Sequence, residues 1–140
     1  MKRLLLWGAF AAVLATSFGC GDSDSVTGAS PNAHGTWAAM MTTTGGTQAP
    51  PGTQFTVTFD FVQGGADVVG TYSTQGGATG ILTGTISGQT LTFDASQSPP
   101  CDGNYDGVGT MNTESTSMSG TYSGSDCFGT LQATFTATKQ

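Results

Sequence analysis

Positive charge is almost missing from this chain. Lys2, Arg3 and Lys139 stand against nine acidic side chains, and charged residues make up only 9% of the sequence. A chain with so few basic groups has no footprint for neutralising phosphates, which excludes nucleic-acid binding. Histidine is equally scarce. His34 is the single imidazole, and it lies just ahead of the first expected strand, where it reads as solvated and not as an acid–base group. No CxxC pair or His cluster supports a zinc site. No nucleophile elbow, paired catalytic carboxylate or phosphate-binding Gly loop is present, so neither an enzyme nor a cofactor is expected. No segment carries a helical period, and the one long apolar run, Leu4 to Phe18, is too short for a comfortable membrane span.

What the chain does have is Gly, 22 in 140 residues, with Thr and Ser throughout. β-Branched Thr favours the pleated chain and Gly weakens helices, so the profile is that of short strands and turns. At the N-terminus, Lys2 and Arg3 precede the apolar run, which ends in Gly19-Cys20. That pattern is a signal-peptide core over residues 1–19. A small residue followed by Cys at its end resembles the lipobox of bacterial lipoproteins, with Ser17-Phe18 where Leu-Ala is usual. The resemblance implies a diacylated Cys20 as mature N-terminus, in a cell-envelope protein sorted by Gly21 to the outer membrane. A plain signal peptide cut nearby is the alternative. Loss of Lys2 and Arg3 moves the formal charge from −6 to −8, since all nine carboxylates stay. Residues 20–33, ending "GDSDSVTGASPNA", read as the lipidated Cys and a flexible polar linker with nothing to bury. An acylated Cys of this kind anchors stably.

From residue 34 to 140 a single β domain is expected. Alternating patterns separated by turn signals give eight strands: Thr36–Thr43, Gln54–Val62, Asp67–Thr74, Gly80–Ser87, Thr90–Ala95, Tyr105–Asn112, Thr116–Ser123 and Phe128–Thr138. In the second, Phe55, Val57, Phe59 and Phe61 share one face. In the fifth, Leu91 and Phe93 do. Gly-Thr followed by a large apolar residue recurs at Gly35, Gly70, Gly84, Gly109, Gly120 and Gly129. Residues i and i+2 of a strand face the same way, so each unit sets Gly and the large residue on one face and Thr on the other. The Gly leaves room for a neighbour's ring and lets the strand bend, which suits a sheet curling onto a common interior. The fold expected is therefore all-β, an eight-stranded antiparallel up-and-down barrel, with a two-sheet sandwich as the alternative. Thr-rich strands nearer eight than ten residues argue against a membrane-spanning barrel.

The meander makes a prediction about the remaining cysteines. Cys101 and Cys127 fall in the fifth and seventh connections, both at one end, and an oxidising compartment favours a disulfide between them. Two free thiols or a metal pair are the alternatives. The same end carries the long Pro- and Gly-rich connections "GGTQAPPGT" and "SQSPPCDGN", while the other end is closed by short hairpins.

Gly35-Thr36-Trp37, the long first loop and the eight meander strands together resemble a small bacterial lipocalin-like, calycin-type lipoprotein over about residues 34–138. The resemblance implies that Trp37 plugs the closed end with a basic residue packed over it, here Lys139 where Arg is usual. It also implies a small apolar ligand in the mouth of a monomer. The expected pocket residues are Trp37, Phe55, Val57, Phe59, Tyr72, Phe93, Tyr122 and Phe135; these same side chains would alternatively fill the barrel completely, giving a structural or interaction lipoprotein. Avidin-like barrels also begin Gly-Thr-Trp, but their biotin-contacting set has no counterpart here. One other run stands out. Asp102, Asn104 and Asp106 followed by Gly107 match the start of a calcium loop, yet its twelfth position is Thr113 and Glu114 comes one place late. The same residues are what an ordinary loop uses.

Overall fold

The structure, a computed structural model, describes residues 30–140. Eight antiparallel strands close on themselves in sequence order: β1 Gly35–Gly46, β2 Gln54–Gly64, β3 Asp67–Thr74, β4 Thr79–Ser87, β5 Thr90–Gln97, β6 Gly103–Met111, β7 Ser117–Asp126 and β8 Gly129–Lys139. Each strand pairs with its neighbours in the chain, and β1 pairs with β8 from Trp37 opposite Lys139 to Gly46 opposite Leu131. No edge is left open. The signal peptide and Cys20 lie outside the described residues.

The six Gly-Thr units sit as period two requires. Trp37, Tyr72, Met111, Tyr122 and Leu131 are buried inside, Ile86 is partly buried, and the six Thr between are exposed. The bore is packed by Phe59, Phe61, Phe93 and Phe135. The Phe59–Phe93 centroids are 5.9 Å apart at 62°, and those of Phe59–Phe135 are 6.4 Å apart at 64°, the edge-to-face geometry aromatic rings prefer. Glycine makes this density possible. The Phe93 ring lies where a Cβ on Gly107 would stand, and a Cβ on Gly109 would meet Met118 Sδ at 2.6 Å and Phe135 Cζ at 3.1 Å. The space left by interior glycines is thus taken up by neighbouring rings, and the middle of the barrel is solid.

Two expectations are corrected. Residues 31–33 are not loose linker. Ala33 is wholly buried; its N–H donates to Gln63 Oε1 at 2.7 Å, and its carbonyl accepts Trp37 Nε1–H at 2.8 Å. Asn32 N–H donates to Ser115 Oγ at 2.9 Å, and Lys139 Nζ donates to Asn32 O at 3.0 Å while standing 5.7 Å from the Trp37 ring centroid. An indole buried at the closed end needs an acceptor for its N–H, and the short polar segment supplies one. Several strands are also longer than expected, with 12 residues in β1, 11 in β2 and 10 in β7, because the ladders continue into Gly- and Asp-containing ends. Strand length therefore no longer separates this barrel from a membrane-spanning one. The polarity of its outward face does: β7 presents Ser117, Ser119, Thr121, Ser123 and Ser125, and β8 presents Thr130, Thr134, Thr136 and Thr138. A membrane barrel carries an apolar band there.

Gly107→Ala is expected to lower stability by about 1–3 kcal/mol through overpacking against Phe93. Gly76→Ala, where an added Cβ meets nothing nearer than 3.8 Å, should change it little. Chemical denaturation of the two variants measures the difference, and equal stabilities would contradict the packing described.

Candidate functional site

The connections β1–β2, β3–β4, β5–β6 and β7–β8 gather at the end opposite Trp37. Inside their ring lies an open cup of about 300 Å³, lined by Phe55, Val57, Tyr72, Gly76, Ala78, Tyr105, Tyr122, Phe128 and Leu131 together with the polar side chains of Gln48, Gln97 and Asp126. All three tyrosines of the chain are in it. Tyr105 and Tyr122 stack with centroids 4.9 Å apart at 11°, and Tyr122 rests toward Phe93, at 6.3 Å, which begins the packed middle.

Asp126 is the hub of the rim. It is the last inward residue of β7, and Gly103 on β6 leaves it room, since a Cβ there would meet Asp126 Cβ at 2.6 Å. Its Oδ1 accepts from Gln48 Nε2 at 2.7 Å and from the Phe128 backbone N–H at 2.8 Å. Its Oδ2 accepts from the Tyr105 hydroxyl at 2.8 Å and from Gln97 Nε2 at 3.2 Å. Gln48 also donates to the Tyr105 hydroxyl at 3.0 Å, and Gln97 donates to Cys101 O at 2.6 Å. Four neutral donors orient the carboxylate, and no ion pair compensates it: the one Lys among the described residues is at the closed end.

Gln48 reaches the cup because its loop is stitched to β8. The backbone N–H groups of Thr47 and Gln48 both donate to Thr130 O, at 2.8 and 3.0 Å, and Thr130 N–H donates to Thr47 Oγ1 at 2.9 Å. This close approach requires Gly46 and Gly129, both at positive φ (109° and 130°), where a Cβ would strike the other segment. Cys101 and Cys127 form the expected disulfide, with Cα atoms 5.3 Å apart, tying the β5–β6 connection to the β7–β8 turn beside Asp126. Closing a 26-residue separation stabilises by roughly 3–4 kcal/mol on the chain-entropy model.

The cup is a poor place for a new negative charge. Burial pushes the Tyr72 phenol up to about 12, with the Asp126 carboxylate adding to the effect. Tyr105 and Tyr122 are raised as well, burial being the largest cause for each and Asp126 contributing to both.

Of the eight expected pocket residues, Phe55, Val57, Tyr72 and Tyr122 line the cup. Trp37 is at the far end under its cap, and Phe59, Phe93 and Phe135 are in the packed middle. Tyr105, Leu131, Gln97, Asp126, Gln48 and Phe128 were not among the expected lining. For four of these a signal existed: Leu131 is the large residue of the unit at Gly129, the alternation Leu91, Phe93, Ala95 continues to Gln97, that of Met118, Gly120, Tyr122, Gly124 to Asp126, and Tyr105 shares its face with Gly107 and Gly109. Gln48 has none, because a loop tertiary contact places it.

The run that matched the start of a calcium loop lies largely on a strand. β6 begins at Gly103, so Asn104 and Asp106 are outward residues of an extended strand and not successive ligands of a turn. Asp106 instead faces Asp94 across β5–β6, and hydrogen bonding between the two raises its pKa. Among the described residues no group of three or more His, Cys, Asp or Glu is placed to hold a metal. His34 is exposed, its backbone N–H donating to Asn32 Oδ1 at 2.9 Å.

Compared with known protein families, curated proteins and solved structures, the chain matches none. The architecture is compatible with a lipocalin-like barrel, and it rests on the geometry alone.

The raised phenols set a sign for pH. Below about pH 10 both the folded and unfolded chains keep their tyrosines protonated. As pH rises from there toward about 12, the unfolded chain loses protons that folded Tyr72 retains, so stability falls. Thermal unfolding midpoints are expected to drop across this window, with a shallower drop in Tyr72→Phe. Near-ultraviolet phenolate absorbance at the pH of free tyrosine would contradict the burial.

Proposed function

We propose that the protein is an envelope lipoprotein whose barrel binds one small ligand with an apolar body in the mouth cup. The observation that carries this reading is the open cavity of about 300 Å³, with an apolar aromatic floor and a few fixed polar groups at its rim. Ligand sites have this composition, and barrels of eight strands hold either packed side chains or one small molecule. The apolar core ending in Gly19-Cys20 supports diacylation of Cys20 and outer-membrane placement. The barrel acts as a monomeric binding module, without catalysis.

With the mature chain, a polarity-sensitive dye is expected to gain fluorescence, and Ala78→Trp at the cup wall should weaken its binding at least tenfold. No gain in fluorescence, together with no co-purifying molecule by mass spectrometry, rejects the reading. A second reading has its own support: the solid middle of the barrel favours a structural or interaction lipoprotein that works through its hydroxyl-rich exterior. A dye-silent protein would favour that one.

Residues 31–33 join the barrel at its closed end, so a tether from Cys20 would hold the mouth away from the membrane. Limited proteolysis of vesicles is expected to nick the Gln48–Gly52 loop, with the cut barrel staying in the membrane fraction; in Cys20→Ser the same nick should appear in the soluble fraction. Cleavage confined to the closed-end hairpins would reverse the orientation.

A further inference from the structure

The mouth cup combines three tyrosine rings with one oriented carboxylate, and among the described residues no cation compensates it. We infer that its ligand is a small organic monocation, an ammonium group carried on an apolar body. This inference rests on the reading of the cup as a ligand site and adds the charge of the ligand.

Three observations converge on it. The first is charge. Asp126 lines the cavity and is held there by Gln48, Gln97, Tyr105 and the Phe128 backbone N–H, all neutral donors, so its negative charge remains. Asp102, on the β5–β6 connection, has the same sign, and Lys139 is bound to the cap at the other end. The second is the aromatic wall. Tyr72, Tyr105 and Tyr122 approach one another from β3, β6 and β7, and ring faces attract ammonium groups more strongly where water is excluded. The Tyr105 hydroxyl is committed to Asp126, which leaves its ring, stacked on Tyr122, as the surface it offers. The third is the saturation of Asp126. Each oxygen already accepts two hydrogen bonds, so the carboxylate itself has no vacant lone pair for a neutral hydroxyl ligand to claim. A diffuse cation needs no vacant lone pair, since it is attracted by the field of the carboxylate and the ring faces together. An anion would meet the same field with the opposite sign.

The wall sets the body of the ligand. Phe55, Val57 and Leu131 offer no polar atoms, so the part of the molecule that lies against them is hydrocarbon. Phe128, 76% exposed at the rim, adds an apolar surface over the opening.

Two isosteres separate charge from shape: phenyltrimethylammonium and tert-butylbenzene differ in one atom, N⁺ for C. Titrated into the mature protein with tyrosine ring resonances as the readout, the cation is expected to bind at least about tenfold tighter than the hydrocarbon, the scale of one desolvated cation–π contact. Asp126→Asn should abolish that preference. Because this change also touches the rim hydrogen bonds, Gly76→Lys provides a second test: it adds a cation at an exposed rim position with open space around it. That variant should lose at least about tenfold for phenyltrimethylammonium and keep its affinity for tert-butylbenzene. Equal or tighter binding of the hydrocarbon would overturn the cationic inference and leave the apolar cup standing. Binding of neither probe would overturn the cup as a ligand site, and the inference with it.

Discussion

The size of the bore governs the rest of this molecule. Eight strands closed by the β1–β8 ladder enclose a space that side chains from all sides must share, and protein interiors tolerate neither gaps nor overlap. Phe59, Phe61, Phe93 and Phe135 are more than an eight-stranded ring could take if every inward position carried a side chain. Gly107 and Gly109 supply the missing room, and they do so beside Phe93 and Phe135. The recurrence of Gly before a large apolar residue is therefore a packing rule written along the chain: six of the eight strands give up volume at one inward position and take it back at the next, and the ring-bearing β2 and β5 use it. Where the pattern of rings stops, between Phe93 and the rim, the cup begins.

The two ends of the barrel solve opposite problems with the same few polar groups. At the closed end, a buried indole and a lysine are satisfied by backbone carbonyls of Asn32 and Ala33, so that an apolar plug is sealed by hydrogen bonds. At the mouth, a carboxylate is fixed by amides and a phenol without being neutralised. Burying a charge without a partner is costly, and Asp126 avoids the full cost because it is only partly buried and saturated with donors. The disulfide secures the turn from which it projects, so the geometry of the rim does not depend on loop packing alone.

Much of the barrel was legible in the sequence because period two survives composition. Phe55, Val57, Phe59 and Phe61 could share a face only in a strand, and Cys101 and Cys127 could meet only if the meander placed their connections together. The cup was half legible. Its lining residues Phe55, Val57, Tyr72 and Tyr122 announce themselves by alternation, but depth along the bore does not: Phe59 and Tyr72 read alike and stand opposite each other in the β2–β3 register, and only the packing of rings around them decides which is covered. Asp126 and Gln97 were hidden because polar residues at strand ends look like the turns that follow. Gln48 was hidden because its place is set by the Thr47–Thr130 contact across 83 residues. The segment 31–33 looked like linker since nothing in "PNA" shows that a tryptophan four residues on will need a carbonyl.

The outward rows of Ser and Thr have a consequence for how this protein meets its solvent. Most domains keep themselves hydrated with charges, and mobile ions screen charges over about 10 Å at moderate ionic strength, and over less as salt rises. Here β7 and β8 turn hydroxyl groups outward, and hydroxyl hydration is a matter of short-range hydrogen bonds that dissolved ions do not screen. The skin of this barrel should stay wetted in brine much as it does in fresh water.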